Sequence, residues 1–223
     1  MNGVLNIFKP KGMSSFDAVR VVKKVAGTGK VGHTGTLDPE ATGVLPICIG
    51  RATKIIDYIM DSEKVYEVTL KLGIRTTTYD LEGEVLEERD PSHLTEEEIL
   101  NSINSFKGEY SQIPPMYSAL KQNGVRLYEL ARKGIEVERK GRLVNIYNLE
   151  DIKINNPYIS MKVTCSKGTY IRSLCYDIGE KLGVFATMTQ LNRAKTSVFS
   201  QEKSININEL TKENINDYIL GAN

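Results

Sequence analysis

Residues 32–46 read GHTGTLDPEATGVLP and place a single carboxylate, Asp38, in a segment rich in glycine, threonine and proline. An Asp followed by Pro is typical of the start of a β-turn, where the side chain accepts backbone N–H bonds. The same carboxylate could act as a nucleophile or general base that glycines expose to a closely approaching substrate. The local sequence is compatible with both interpretations, so other parts of the chain must decide between them.

The composition is that of an ordinary soluble globular protein, with 223 residues, 40% hydrophobic and 26% charged. The first residues lack the apolar stretch of a signal peptide, and no later apolar run reaches membrane-spanning length. The three cysteines, Cys48, Cys165 and Cys175, are an odd number without close spacing. This arrangement favours free thiols in a reducing compartment. We therefore expect a cytoplasmic protein that does not enter a membrane.

Charge is unevenly distributed along the chain, although the net charge is only +1. Residues 1–36 carry +5, residues 121–142 carry +4 and residues 162–195 carry +4, whereas residues 80–110 carry −8. If the three basic stretches share one face, they form a phosphate-binding surface. Otherwise they are a solvated surface on which charges cluster by chance.

Hydrophobic periodicity and turn residues predict both helices and strands. The predicted helices cover residues 14–26, 52–60, 95–106 and 171–182, and the predicted strands cover 44–49, 66–72, 142–154 and 158–165. Residues 112–134 begin with a proline-stiffened segment and end in a basic helical stretch that stops at Gly134. Because hairpin signals outnumber βαβ units, we expect a mixed α/β (α+β) fold with mostly antiparallel strands.

Two motifs that suggest a cofactor or a metal lack the required context. Gly27–Gly32 matches G-x-G-x-x-G, but it follows a predicted helix, and Lys30 is not followed by Ser or Thr as in a Walker A loop. The histidines, His33 and His93, lie far apart without a ligand pattern around them. The sequence therefore predicts neither a nucleotide cofactor nor a metal.

Four segments match known motifs in order. They are KPKGMSS at Lys9–Ser15, the GHTGTLDPEATGVLPICIGRATK stretch, KVYEVTLKLG at Lys64–Gly73 and CSKGTYIRSLCYDIGEKLG at Cys165–Gly183. Together they resemble the motifs of the TruB-type family of tRNA pseudouridine synthases, and the resemblance runs from about Leu5 to Arg193. It favours the nucleophile interpretation of Asp38 over the simple turn.

The resemblance implies a role for each matching residue. Asp38 would attack the target uridine, at C6 of the ring or C1′ of the sugar, so that the base is detached, turned and rejoined through C5. Arg172 would pair with Asp38, which favours the anion. Tyr66 would stack on the uracil, and its hydroxyl would assist the proton that leaves C5. By its strand pattern alone, Tyr66 would be a core or edge aromatic residue.

Further residues would complete the site. Tyr170 and Leu191 would line the base pocket, His33 would contact displaced nucleotides, and Lys9 would support the floor of the site. By pattern alone these would be core residues, a turn histidine and a surface lysine. Residues 112–134 resemble the family's insertion that closes over the RNA stem-loop. Its cations that would meet phosphates are Lys121, Arg126, Arg132 and Lys133.

The resemblance leads us to expect one catalytic domain over residues 1–223, with the pseudouridine synthase fold: a central, mostly antiparallel mixed sheet flanked by helices. A C-terminal accessory RNA-binding domain would be absent or truncated. The expected reaction is isomerisation of the T-loop uridine at position 55 of tRNA, by a monomer without cofactor or metal. The alternative is a non-catalytic tRNA-binding or tRNA-folding protein that retains the base pocket.

Overall fold

The computed structural model describes residues 1–221. Their contacts divide the chain into two compact units. The first unit comprises Met1–Glu67 together with the segment from Gln190 onward, and the second comprises Val68–Thr189.

The strands and helices have the following bounds. The strands are β1 (Gly3–Lys9), β2 (Val31–His33), β3 (Thr42–Ile49), β4 (Lys64–Leu72), β5 (Ile74–Thr76), β6 (Val85–Glu88), β7 (Gly108–Gln112), β8 (Lys121–Gln122), β9 (Val125–Arg126), β10 (Arg142–Asn155), β11 (Tyr158–Cys165), β12 (Ala186–Thr196), β13 (Phe199–Ser200), β14 (Ile205–Asn206) and β15 (Ile219–Leu220). The α-helices are α1 (Ser15–Ala26), α2 (Ile56–Met60), α3 (Glu96–Asn104), α4 (Leu127–Arg132), α5 (Ile171–Leu182) and α6 (Ile215–Tyr218). None of the helices in the described part of the chain has the length and apolarity needed to cross a membrane.

The first unit is built on the antiparallel pair of β1 and β3, which runs from Gly3 opposite Ile49 to Lys9 opposite Gly43. Strand β1 also pairs with β14 in parallel and with β15 antiparallel, and β3 pairs antiparallel with β2. Strand β12 joins β3 in parallel, with Arg193 opposite Gly43. The residues of β3 from Gly43 to Ile49 are all buried, as expected for a strand covered on both faces.

Helix α1 begins and ends where the sequence predicts. Ser14 is the N-cap, and its side chain and that of Asp17 form a reciprocal capping box. Gly27 ends the helix in the left-handed conformation that glycine adopts most easily. The glycine-rich motif that starts there therefore follows a helix and leads into β2, the reverse of the order in a dinucleotide-binding loop.

In the second unit, β10 pairs antiparallel with both β7 and β11, and α3 packs on α5. The β10–β11 hairpin turns at Asn155–Tyr158, as the sequence predicts. Two short hairpins, β5–β6 and β8–β9, complete the strands of this unit. Among the strand pairs described above, those of β1 with β14 and of β3 with β12 are parallel and the others are antiparallel, which confirms the predicted mixed, mostly antiparallel fold class.

Two predicted elements differ from the structure. The helix predicted at residues 52–60 is wrong in its first half: Gly50–Ile55 form a 3₁₀ helix, and α2 begins only at Ile56. The Thr53 hydroxyl donates to the Gly50 carbonyl, which competes with the helical backbone bond. The basic helical stretch before Gly134 shortens to α4, because Asn123 and Gly124 have positive φ angles and turn the β8–β9 hairpin.

Gly43 provides a test of the close approach between β3 and β12. A Cβ atom at this position would lie 2.3 Å from the backbone oxygen of Arg193, and its φ is +120°. We predict that Gly43→Ala lowers the free energy of unfolding by about 3 kcal/mol, from overpacking and backbone strain together. Urea unfolding should show Gly29→Ala, where a Cβ meets open space, within about 0.5 kcal/mol of wild type. Equal effects of the two substitutions would contradict this packing.

Candidate active site

The loop between β2 and β3 carries Asp38 and is fixed by hydrogen bonds on both sides. The Ser15 hydroxyl donates to the Leu37 carbonyl (3.0 Å) and accepts from the Leu37 N–H (2.8 Å). The Asp38 carbonyl accepts from the Ala41 N–H at 3.0 Å, so Asp38 opens a four-residue turn with Pro39 in second place. The β-turn predicted from Asp38 and Pro39 is therefore present. It is formed by backbone groups of Asp38 and Ala41, and the Asp38 side chain is half-buried.

Lys9 is fully buried beneath this loop, so the interpretation as a surface lysine is wrong. Its ammonium lies within hydrogen-bonding distance of four carbonyls, those of Ala41 (2.6 Å), Met13 (2.7 Å), Pro10 (3.0 Å) and Pro39 (3.3 Å), so at least one of its three N–H groups is shared between two acceptors. Burial lowers the pKa of Lys9 to about 8, and the nearby charge of Asp38 opposes that shift. At neutral pH the side chain is therefore mainly an ammonium, and it joins both ends of the turn to the segment before α1.

Arg193 is the second buried cation of this loop, with only 1% of its surface exposed. Its guanidinium donates to the carbonyls of Val44 (2.9 Å), Gly35 (3.1 Å) and Thr36 (3.4 Å). The sequence analysis did not single out this residue. Its position depends on the parallel pairing of β12 with β3, which no local pattern reveals.

The other predicted site residues of the first unit lie on neighbouring strands. His33 ends β2, and its Nδ1 accepts from the Gly35 N–H at 3.3 Å, which makes Nε2 the protonated nitrogen when the ring is neutral. Burial lowers the pKa of His33, and the Arg193 charge adds to that shift. Tyr66 is buried in β4, and Leu191 is half-buried in β12.

In the second unit, Arg172 lies in the first turn of α5 and is buried. Its guanidinium donates to the carbonyls of Tyr117 (2.9 Å) and Thr78 (3.2 Å), and its Nε lies 3.8 Å from a carboxylate oxygen of Asp80. The sequence analysis did not identify Asp80, which is buried and separated from Arg172 by 92 residues of chain. These partners fix the plane of the guanidinium within its own unit. The pairing of Arg172 with Asp38 stays a prediction.

The four cations predicted to meet phosphates are all exposed, on β8, β9 and the α4 region. Lys121 and Arg126 are direct partners across the β8–β9 hairpin. Like charges at opposed positions destabilise a hairpin unless an anion lies between them. The guanidinium groups of Arg126 and Arg132 both lie over the ring of Tyr128, at 5.8 and 5.2 Å from its centre.

Solved structures share this fold. The chain is similar to a structure of a Cbf5–Nop10–Gar1 complex, with a TM-score of 0.73 and 31% identity over 93% of this chain and 53% of that one. It is also similar to an archaeal box H/ACA sRNP Nop10–Cbf5 complex, with a TM-score of 0.71 and 27% identity over 97% of this chain and 57% of that one. The chain thus spans about half the length of the chains in these structures.

Family models define the class as pseudouridylate synthase. A model described as "TruB family pseudouridylate synthase (N terminal domain)" matches residues 23–171, and one described as "tRNA pseudouridylate synthase B C-terminal domain" matches residues 172–219. The chain belongs to the TruB family. The resemblance found in the sequence is thereby confirmed, and with it the prediction of an enzyme of this class.

Curated relatives agree with this assignment. A protein of Clostridium tetani, named tRNA pseudouridine synthase B, is 63% identical over 222 residues, covering 100% of this chain and 77% of the relative. A Clostridium perfringens protein of the same name is 65% identical over 221 residues, covering 99% of this chain and 75% of the relative. The match extends through the Asp38 loop, α5 and the β12 segment that carries Arg193.

Lys9 and Lys11 allow a test of the buried ammonium. We predict that Lys9→Met lowers the free energy of unfolding by about 2–4 kcal/mol, because the loop carbonyls lose their donor. Lys11→Met removes a lysine from the same segment, but that ammonium is exposed and pairs with Glu40 at the surface. It should cost no more than about 1 kcal/mol. Urea unfolding at pH 7 measures both, and a Lys9→Met protein as stable as the Lys11→Met protein would contradict the anchoring role.

Proposed function

We propose that this chain converts the T-loop uridine at position 55 of tRNA to pseudouridine, with Asp38 as the nucleophile. Membership of the TruB family supports the reaction class, and the names of the curated relatives support tRNA as the substrate. The observation that carries the proposal is the construction of the Asp38 loop. Two almost fully buried cations, Lys9 and Arg193, hold the backbone around this one carboxylate.

The proposed chemistry needs a carboxylate, a base pocket and a route for one proton. Asp38 adds to the uridine, at C6 or at C1′, the bond between C1′ and N1 breaks, and a bond between C1′ and C5 forms. The bond to Asp38 then breaks, so that the carboxylate is regenerated. The C5 proton leaves to solvent and N1 takes up a proton, so the product is an isomer and no group is lost. Because the reaction is a balanced isomerisation, we propose that it proceeds without cofactor or metal.

The Asp38 carboxylate lies near the buried ammonium of Lys9. A carboxylate that faces RNA experiences the negative potential of the phosphates, and nearby cations oppose that effect. The charges of Lys9 and Asp38 interact within the first unit. We propose that Arg172, whose guanidinium plane is fixed by Thr78 and Tyr117, supplies a direct partner to Asp38 in the reacting complex.

A uridine in a folded T-loop must leave its stack before a carboxylate can reach it. We assign the stacking role to Tyr66, with its hydroxyl assisting the proton that leaves C5. Tyr170 and Leu191 line the pocket. The neutral imidazole of His33 has its Nδ1 occupied by the Gly35 N–H, so its Nε2–H is the group that contacts the displaced nucleotides.

We propose that the exposed cations of residues 112–134 grip the T-arm backbone. A phosphate beside the β8–β9 hairpin would neutralise the repulsion between Lys121 and Arg126. Arg132 and Lys133 follow on the same segment, at the end of α4. The proposed enzyme acts as a monomeric catalytic domain in the cytoplasm.

Asp38→Asn tests the proposed nucleophile against the alternative of a non-catalytic tRNA-binding protein. The substrate is a T-arm stem-loop with tritium at C5 of the target uridine, and the measurements are tritium release and RNA affinity. We expect wild type to release tritium and Asp38→Asn to lose the activity by at least about 10⁴-fold, as is usual when a nucleophile is removed. Binding should be retained, because a neutral amide replaces an anion that faces RNA.

Glu40→Gln is the matched control, since it removes one negative charge from an exposed residue of the same loop. It should keep its activity within a few-fold of wild type. Tight binding of both stem-loop and full-length tRNA by wild type, without any tritium release, would refute the enzymatic function on this substrate and leave a binding protein. Full activity of Asp38→Asn would refute the assignment of the nucleophile alone.

A further inference from the structure

Helix α5 carries Arg172 in its first turn, yet its N-cap residue, Tyr170, makes no side-chain capping bond. Helices usually satisfy their first N–H groups with a Ser, Thr, Asp or Asn side chain at this position. An aromatic N-cap leaves the entry to α5 without that local support. Another part of the second unit must therefore fix the peptide group from which the helix starts.

Gln112, the last residue of β7, supplies this support from 58 residues away. Its Oε1 accepts from the Tyr170 N–H at 2.8 Å, and its Nε2 donates to the Tyr170 carbonyl at 3.1 Å. The carboxamide thus binds both backbone groups of one residue. The orientation of the amide is determined by this pair, because the reverse orientation would face donor with donor and acceptor with acceptor.

Gln112 is itself held in place. Only 1% of its surface is exposed, and the second hydrogen of Nε2 goes to the Tyr110 hydroxyl. That hydroxyl in turn bonds to the carboxyl group of Asp177, two turns further along α5. Hydrogen bonds therefore link Asp177 of α5, through Tyr110 and Gln112 of β7, to Tyr170 at the start of the same helix. Both Nε2 hydrogens and the oxygen of the carboxamide take part.

A second bond ties the same two segments together. The Ser173 hydroxyl, in the first turn of α5, donates to the carbonyl of Ile113 at 2.8 Å. The segment that follows Gln112 then reaches Tyr117, whose carbonyl accepts from Arg172. The start of α5 and the residues that orient the Arg172 guanidinium are thus linked through one buried strand end.

We propose that Gln112 is a positioning residue of the reaction: it fixes the Tyr170 peptide and thereby the placement of the Tyr170 and Arg172 side chains. This inference rests on the proposed function. Because Gln112 is buried, it does not contact the RNA itself, so we expect its loss to affect the rate of the chemical step more than the affinity. A misplacement of about 1 Å in such a site costs about 100-fold in rate.

The first test variant is Gln112→Met, which has a similar length but neither amide group. Its control is Thr187→Val, which removes another buried side-chain bond of the second unit, from the Thr187 hydroxyl to the Ile74 carbonyl (3.1 Å). Single-turnover tritium release at saturating T-arm RNA should fall about 10- to 100-fold for Gln112→Met, with its dissociation constant within about threefold of wild type. Thr187→Val should keep a rate within about threefold of wild type, even if its free energy of unfolding falls as much as that of Gln112→Met.

Gln112→Glu provides a pH readout and replaces the first variant if Gln112→Met does not fold. Its carboxylate keeps an acceptor for the Tyr170 N–H but turns an oxygen toward the Tyr170 carbonyl. Protonation of that carboxyl restores a donor. We therefore expect its rate, relative to wild type at each pH, to rise as the pH falls from 8 to 6.

Three results would distinguish a failure of the positioning role from a failure of the proposed function. A folded Gln112→Met protein with the wild-type rate, or a rate loss that Thr187→Val matches at equal stability, would overturn the positioning role. A Gln112→Glu rate that stays at a constant ratio to wild type across this pH range would also overturn it. Absence of tritium release by wild type would instead overturn the proposed function on which the inference rests.

Discussion

The first unit depends on an ammonium group buried under the Asp38 loop. A buried charge is costly unless hydrogen bonds replace the lost water, and Lys9 meets this condition with four backbone carbonyls. The same contacts give the loop its shape, because two loop carbonyls that follow Asp38 and two carbonyls of the segment before α1 converge on one cation. Arg193 holds the preceding part of the loop in the same way, by donating to the carbonyls of Gly35 and Thr36. Cation and loop therefore stabilise each other, and the carboxylate is presented by a rigid backbone.

The second unit uses the same principle for Arg172. Backbone carbonyls of Thr78 and Tyr117 hold its guanidinium, with the carboxylate of Asp80 beside it. The two carbonyl acceptors and the Asp80 carboxylate together orient the guanidinium. Gln112 extends this arrangement by fixing the peptide from which α5 starts. Both units thus position their charged groups through buried contacts to the main chain, which suits a reaction that depends on precise placement.

Local patterns predicted the elements whose determinants are close in sequence. Ser14, Asp17 and Gly27 bound α1 as expected, and Gly183 ends α5, because caps act within one turn. There are two exceptions. In the helix predicted from residue 52, the bond from the Thr53 hydroxyl to Gly50 changes the local geometry, and the helical stretch before Gly134 is shortened by the turn of the β8–β9 hairpin. The burial of Lys9, and the parts played by Arg193, Asp80 and Gln112, could not be predicted from pattern. Each depends on partners at least 30 residues away that only the folded chain brings close. Family resemblance identified Asp38, Tyr66 and Arg172 as candidates, but it did not reveal what holds them in place.

The central claim is that a rigid loop holds the Asp38 carboxylate at one required position. Asp38→Glu tests it most directly, because the substitution keeps the charge and moves the carboxylate outward by about 1.5 Å, one methylene group. The measurement is single-turnover tritium release from saturating T-arm RNA, with the dissociation constant and the urea unfolding curve as controls. The account predicts a rate at least about 100-fold below wild type, in a protein that folds and binds RNA normally. A rate within a few-fold of wild type would show that the loop adapts to the longer side chain, and would contradict the claim.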